Sequence, residues 1–172
     1  NRGGTGFRCF DTYFWKLAAG GIGRRNRAHR QGCHAQITGT IQAMKAFIDS
    51  DVLIWHLRGE RKALNLLKRL RDDEQFDLWI GAMQRAEVVF FMRPAEESAT
   101  LLFLAQFQTA AVDQQIIDMA GEYYRKWNPR NGTDVNDAIL AATVLQTGGK
   151  IFTLNSKHYP MPEMTVQRAW KA

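Results

Sequence analysis

The sequence has little cysteine and no long apolar segment. Its two cysteines are Cys9 and Cys33, and residues 44–172 contain none. A disulfide framework is therefore excluded for most of the chain, which favours a reducing compartment such as the cytoplasm. No run of 18 apolar residues occurs, so the sequence predicts no membrane-spanning helix.

An excess of positive charge is also missing from most of the chain. The formal net charge is +6, but residues 1–43 hold seven of the 23 basic residues and only one of the 17 acidic residues. That leaves 16 residues of each sign in residues 44–172. Basicity of the whole chain is thus no argument for a nucleic-acid partner, and only local basic patches could attract one.

Residues 1–43 differ in composition from the rest of the chain. They contain eight of the 14 glycines, and Met44 is the first methionine. We expect a non-native or disordered N-terminal extension at residues 1–43 and one domain at 44–172. A natural basic tail that grips phosphate through Arg24, Arg25 and Arg27 is the alternative. Lys16 interrupts the apolar stretch at 13–22, which disfavours a targeting peptide.

Apolar runs alternate with amphipathic segments from Met44 onward. Strands are predicted at 45–48, 76–80, 110–112, 150–154 and 164–167, and helices at 52–57, 60–71, 84–92, 95–107, 113–127 and 135–146. Ser50 or Asp51 is expected to cap the first helix, Thr133 or Asp134 the last, with a loop at 128–132. This order predicts an α/β domain with a mainly parallel central sheet of four to five strands flanked by helices. Its site should lie beyond the carboxyl ends of the strands.

Three acids lie in apolar surroundings. Asp49 ends the first predicted strand, Glu87 lies in the segment 86–91, and Asp137 lies in the segment 136–142. A half-buried carboxylate is costly unless it is paired or binds a metal, and Mg²⁺ or Mn²⁺ suits an all-oxygen site. Each acid alone could be structural. Asp51 and Asp134 are favoured as helix caps, with a supporting role in a metal site as the alternative.

Four segments together resemble the PIN-domain family, in particular VapC-like toxins. They are the strand and helix start at 44–54, the glutamate at 87, the segment Asp-Ala-Ile-Leu-Ala-Ala-Thr at 137–143, and the segment Phe-Thr-Leu-Asn-Ser-Lys-His-Tyr at 152–159. The resemblance covers essentially all of residues 44–172. It implies a PIN-like fold and a Mg²⁺- or Mn²⁺-dependent endoribonuclease that acts as the toxin of a toxin–antitoxin pair.

The resemblance also implies roles for individual residues. Asp49, Glu87 and Asp137 would hold the metal and act in catalysis, while Asn155 stands near the fourth acidic position of many relatives and would contact metal, water or phosphate. The implied supporting residues are Ser50, Asp51, Thr153 and Asp134, and the candidate RNA contacts are Arg58, Arg130, Lys157 and His158. The implied partners are RNA, a cognate antitoxin and a second copy of the chain.

Two other interpretations remain. One is a PIN fold that binds RNA or a protein partner without cleaving RNA. The other is a receiver-type signalling domain, whose acidic pair Asp49 and Asp51 could imitate. The receiver interpretation is disfavoured because Gly81, rather than an acceptor aspartate, follows the second predicted strand.

Overall fold

A computed structural model of the chain describes residues 43–171, so the predicted extension at 1–43 lies almost wholly outside the described residues. Five strands form one sheet: β1 Met44–Ile48, β2 Phe76–Gly81, β3 Gln108–Ala110, β4 Lys150–Thr153 and β5 Thr165–Arg168. Their order is β3-β2-β1-β4-β5, and every neighbouring pair is parallel. The predicted α/β fold is confirmed, with a sheet that is parallel throughout.

Within residues 43–171, six α-helices connect and flank the strands. They are α1 Ser50–Leu57, α2 Arg61–Asp72, α3 Ala82–Phe91, α4 Glu97–Leu104, α5 Gln114–Asn131 and α6 Val135–Thr147. Two 3₁₀ turns lie at Pro94–Glu96 and Ser156–His158. No helix within residues 43–171 combines the length and the apolar character needed to cross a membrane.

The central strand β1 explains why helices cover both faces of the sheet. Ala46, Phe47 and Ile48 are all fully buried. Successive side chains of a strand point to opposite faces, and both faces here are packed. Ala46 and Ile48 pack in a cluster with α1 and α2, whereas Phe47 packs with Leu140 and Ala141 of α6. A continuous apolar run is therefore the expected pattern for this strand.

The strand order fixes where the cleft opens. From β1 the chain moves outward to β2 and β3 on one side, and β4 and β5 lie on the other side. The crevice of such a sheet forms where the order reverses, beyond the carboxyl ends of the two strands involved. Here those strands are β1 and β4, and the Asp49 amide donates to the Phe152 carbonyl at 3.1 Å just where they end.

Several predicted boundaries were wrong, among them the end of the helix expected at 95–107, which lies at Leu104. The loop expected at 128–132 is helical as far as Asn131, although Pro129 lies inside the helix and has no N–H to donate to the carbonyl four residues earlier. Gly132 then ends the helix with a left-handed φ of 69°. Strand β3 occupies 108–110 rather than 110–112, since Val112 packs against α5 and α6 instead of joining the sheet.

The turn between α6 and β4 requires glycine at Gly149 more than at Gly148. Gly149 has a φ of 138°, and a Cβ there would come within 2.6 Å of the Lys45 carbonyl oxygen in β1. Gly148 has a φ of 76°, but a Cβ there would meet no atom of residues 43–171 within 4 Å. Gly149 is thus constrained by both backbone conformation and space, and Gly148 by conformation alone.

We therefore expect Gly149→Ala to destabilise the fold more than Gly148→Ala. The first should lower the free energy of unfolding by about 3 kcal/mol, because β1 must shift to admit the methyl group. The second should cost about 2 kcal/mol, because a φ of 76° with a ψ of 152° is a conformation that glycine adopts far more readily than alanine. Urea unfolding followed by circular dichroism measures both, and equal losses would show that contact with β1 is unimportant.

Candidate active site

Two carboxylates follow β1 and point to different neighbours. Asp49 caps α1, where its Oδ1 accepts a 2.7 Å hydrogen bond from the Ser50 amide. Asp51 reaches the end of β4, where its Oδ2 accepts from the Thr153 hydroxyl at 3.2 Å and the Leu154 amide at 2.9 Å. The prediction that Ser50 or Asp51 caps this helix is wrong, because Asp49, which directly follows β1, occupies the N-cap position.

The end of β4 is held by one buried hydroxyl. Thr153 is completely buried, and its Oγ1 contacts Asp51 and accepts from the Asn155 amide at 3.0 Å. Asn155 itself is exposed, and it borders the cleft. Thr153 therefore links Asp51, near the start of α1, to Asn155, which follows β4.

The first turn of α6 is built around Asp134 and Asp137. The Asp134 carboxylate accepts from the Asp137 amide at 2.8 Å, and the Asp137 carboxylate accepts from the Asp134 amide at 3.0 Å. This reciprocal arrangement is a capping box, and it confirms the prediction of Asp134 as a cap. The Asp137 Oδ2 atom also lies 3.0 Å from Nδ1 of His158. Asp137 is thus held at the cleft by the helix that it helps to start.

Tyr159 joins the carboxylates of two different elements. Its buried hydroxyl lies 2.8 Å from Oδ2 of Asp49 and 3.1 Å from Oδ1 of Asp137. A hydroxyl has one proton, so both contacts can be hydrogen bonds only if one carboxyl group is protonated. This role of Tyr159 was not predicted from the sequence, although the residue closes the segment 152–159.

Glu87 is positioned by Asn136, a contact that was not predicted from the sequence. The Asn136 side-chain amide donates to Oε1 of Glu87 at 2.9 Å. One turn earlier in α3, Gln84 is almost completely buried, and its amide contacts the Asn136 carbonyl at 3.5 Å. The available signal was spacing, since Gln84 lies one helical turn before Glu87 and therefore on the same face of α3.

These side chains surround one cleft of about 130 Å³. It receives residues from the start of α1, from α3, from α6 with its N-cap Asp134, and from the segment after β4. Five lining residues are acidic and five are not: Asp49, Asp51, Glu87, Asp134 and Asp137, together with Ser50, Gln84, Asn136, Asn155 and His158. The structure thus brings Asp49, Glu87, Asp137 and Asn155 together, as the sequence predicted.

The cleft concentrates negative charge in a poorly hydrated place. Burial, and then the nearby charge of Asp51, raises the pKa of Asp49 to about 7. Burial is also the main cause that raises the pKa of Asp51 and of Asp137. Removal from water disfavours each anion, and close carboxylates disfavour one another. A bound cation would relieve both effects.

The oxygen atoms of the cleft test whether it suits a divalent cation. Among the described residues, Asp51 Oδ1, Glu87 Oε2 and Gln84 Oε1 are buried without a hydrogen-bond partner. All three side chains line the cleft, and oxygen is the ligand that Mg²⁺ and Mn²⁺ prefer. No three acids, histidines or cysteines within residues 43–171 already form a ligand set, so side chains must rotate for three to hold one ion. The donor atoms fit the cation in kind.

The four candidate RNA contacts lie at different distances from the cleft. His158 lines it, and exposed Lys157 precedes His158 in the same 3₁₀ turn. Arg130 is exposed in the last turn of α5, the helix that packs against that turn. Arg58 lies beyond the far end of α1, about 12 Å along the helix axis from its start. The structure does not bring Arg58 to the cleft.

The pKa of Asp49 predicts how stability should depend on pH without metal. Between about pH 4 and pH 7 the folded chain binds more protons at Asp49 than the unfolded chain, so stability falls as pH rises. Asp49→Asn should remove that part of the slope and raise the free energy of unfolding at pH 8 by about 2–4 kcal/mol. Urea unfolding in EDTA at pH 5 and pH 8 measures this.

The control is Asp118→Asn, the same change at an exposed position of α5. It should leave the pH dependence as in the unmodified chain. An Asp49→Asn variant with the full original slope between pH 5 and pH 8 would show that this carboxyl group titrates normally.

Known proteins share this fold and sequence pattern. The PIN domain family model matches residues 46–163. Ribonuclease VapC10 of Mycobacterium tuberculosis is 35% identical over 117 residues, which cover 67% of this chain and 86% of that protein. Ribonuclease VapC19 of the same organism is 28% identical over 115 residues, covering 66% and 91%.

Solved structures agree on the fold. A toxin–antitoxin complex from Klebsiella pneumoniae superposes with a TM-score of 0.61 at 21% identity, covering 74% of this chain and 99% of that one. VapBC-1 from nontypeable Haemophilus influenzae gives 0.59 at 19% identity, covering 73% and 98%. The chain belongs to the PIN-domain family, in the branch of the VapC proteins.

Proposed function

We propose that this chain is a Mg²⁺- or Mn²⁺-dependent endoribonuclease and the toxin of a toxin–antitoxin pair. The observation that carries the proposal is the acid-lined cleft at the ends of β1 and β4, with unpaired oxygen atoms, in a chain of this family. Its relatives VapC10 and VapC19 are named ribonucleases. The reaction is hydrolysis of an RNA phosphodiester bond.

Asp49, Glu87 and Asp137 would hold the metal, which when bound lowers the pKa of a coordinated water and stabilises charge on the phosphoryl oxygens. The chain orients these ligands from outside. Asn136 holds Glu87 through its side-chain amide, and Asp134 fixes Asp137 at the start of α6. One of the three carboxylates accepts the proton of the attacking water.

The residues after β1 and β4 support this centre. The Ser50 amide donates to Asp49, and the Thr153 hydroxyl holds Asp51 beside the cleft. The neutral Asn155 adds no charge there, and its side chain contacts the phosphate of the substrate or a water. Because Asn155 replaces an acid, the proposal rests more firmly on one metal than on two.

RNA has to approach a cleft that is itself negative. The bound metal cation would offset part of that charge, and polar and basic side chains at the rim contact phosphate groups on either side. Lys157, His158 and Arg130 are placed for this, because they lie on the turn after β4 and on the neighbouring end of α5. Arg58 would contact only an RNA long enough to extend along α1.

The same proposal includes two protein partners in the cytoplasm, an antitoxin and a second copy of the chain. Complexes of toxin with antitoxin are among the similar structures. The chain also exposes large apolar side chains: Phe90 and Phe91 at the end of α3 are 79% and 84% exposed, and Leu102 of α4 is 53% exposed. Such side chains in neighbouring elements are typical of a protein–protein interface.

The alternative of a PIN fold that does not cleave RNA has one observation in its favour. No ready ligand set for a metal exists within the described residues, and Asn155 is neutral. The same assay separates the two functions, because an inactive binding module would retain RNA without cutting it.

We expect the purified chain to cleave structured RNA in the presence of Mg²⁺ or Mn²⁺ and to stop when EDTA is added. Asp49→Asn and Asp137→Asn should each lower the rate at least about 100-fold, because each removes a charged ligand of the metal. Gel analysis of labelled RNA measures the rate.

Asp118→Asn is the matched control and should cleave at the original rate, since Asp118 is exposed on α5. Equal cleavage by the unmodified chain and both cleft variants would disprove the site assignment. Retention of RNA in a gel shift without any cleavage would favour the binding module.

A further inference from the structure

Gln84 is the polar residue of the cleft that the roles above leave unexplained. It lies in the first turn of α3 and is only 1% exposed. Burying an amide is unfavourable unless both of its ends find partners, and a methionine of similar volume would fill the same space without that cost. The buried side-chain amide of Gln84 therefore needs a polar partner.

The two ends of this amide are in different situations. The Nε2 atom lies 3.5 Å from the Asn136 carbonyl, at the long limit of a hydrogen bond. The Oε1 atom has no hydrogen-bond partner among the described residues. An unpaired buried oxygen is unfavourable, because it has lost its hydrogen bonds to water without gaining a partner. A ligand that arrives in the cleft would offset this cost.

Asn136 contacts the side chains of both Gln84 and Glu87. Its backbone carbonyl faces the Gln84 Nε2 atom, and its side-chain amide donates to Oε1 of Glu87 at 2.9 Å. The atoms left over are Gln84 Oε1 and Glu87 Oε2, both unpaired and both on side chains that line the cleft. Residues 84 and 87 are one helical turn apart, so these side chains share a face of α3.

The backbone beside Gln84 is shaped to admit this oxygen. Gly81 ends β2 and is buried, and a Cβ at that position would collide with Gln84 Oε1. Glycine at 81 therefore leaves the space that the amide oxygen occupies.

We propose that Gln84 supplies a neutral oxygen ligand, through Oε1, to the divalent cation of this cleft, either directly or through one bound water. This inference rests on the proposed function, because it concerns the same metal. An amide suits the place: it adds a donor oxygen without adding a charge to carboxylates that already repel one another. Gln84 and Glu87 would then be the ligands that α3 contributes to the metal site, alongside Asp49 and Asp137.

The test compares Mn²⁺ binding by the unmodified full chain, Gln84→Met and Gln84→Glu, measured by electron paramagnetic resonance of free Mn²⁺. The methionine variant keeps the volume but loses the oxygen, so its affinity should fall about 10-fold. The glutamate variant keeps an oxygen and adds a charge. It should have a lower melting temperature than the unmodified chain in EDTA, and Mn²⁺ should raise that temperature by more than it raises the original.

Gln106→Met is the matched control, because Gln106 is a partly buried glutamine outside the cleft. It should bind Mn²⁺ as the unmodified chain does. A folded Gln84→Met variant with the original Mn²⁺ affinity would overturn the proposal. If Gln84→Met does not fold, the test rests on the melting temperature of Gln84→Glu. A lowered melting temperature of Gln84→Glu that Mn²⁺ does not restore would equally overturn the proposal.

Failure of this proposal can be told apart from failure of the proposed function. If the unmodified chain binds Mn²⁺ and cleaves RNA while Gln84→Met behaves like Gln106→Met, Gln84 is a packing residue and the ribonuclease assignment stands. If the unmodified chain neither binds Mn²⁺ nor cleaves RNA, both proposals are wrong.

Discussion

The crowding of carboxylates where β1 and β4 end is the constraint on which the rest of this site depends. Parallel strands present their carboxyl ends at one edge, and the chain places acids after β1 and in the helices that start there. Burial disfavours each charge, and the charges disfavour one another. Without a metal the fold tolerates them only because backbone amides, the hydroxyls of Thr153 and Tyr159, and protons compensate part of the cost.

Much of that compensation comes from groups that also build secondary structure. Asp49 caps α1, Asp137 shares a capping box with Asp134, and Asp51 accepts the amide of Leu154 just after β4. The Tyr159 hydroxyl links Asp49, the cap of α1, to Asp137 of α6 across the cleft. The acids are therefore held by the ends of helices and strands, which are rigid, rather than by loops. Such support keeps ligands close to their working positions before a cation arrives.

The sequence predicted the sheet, its parallel character and the convergence of Asp49, Glu87 and Asp137, because apolar periodicity and misplaced acids are local signals. It could not predict the contacts of Tyr159 or Gln84. Those contacts join residues far apart in the chain, and a tyrosine or a glutamine in an apolar segment usually belongs to the core. The end of α5 was missed for a different reason: proline normally ends a helix, and here Pro129 lies inside the last turn.

The capping box has a consequence for how related chains are compared. Asp137 begins α6 as well as lining the cleft, so a descendant that had lost catalysis would still need an acceptor there in order to fold. Glu87 caps no helix and ends no strand, and one of its oxygens has no partner within residues 43–171. Selection for folding alone would preserve Asp137 and release Glu87. Among relatives, retention of Glu87 is therefore the better marker of a working nuclease.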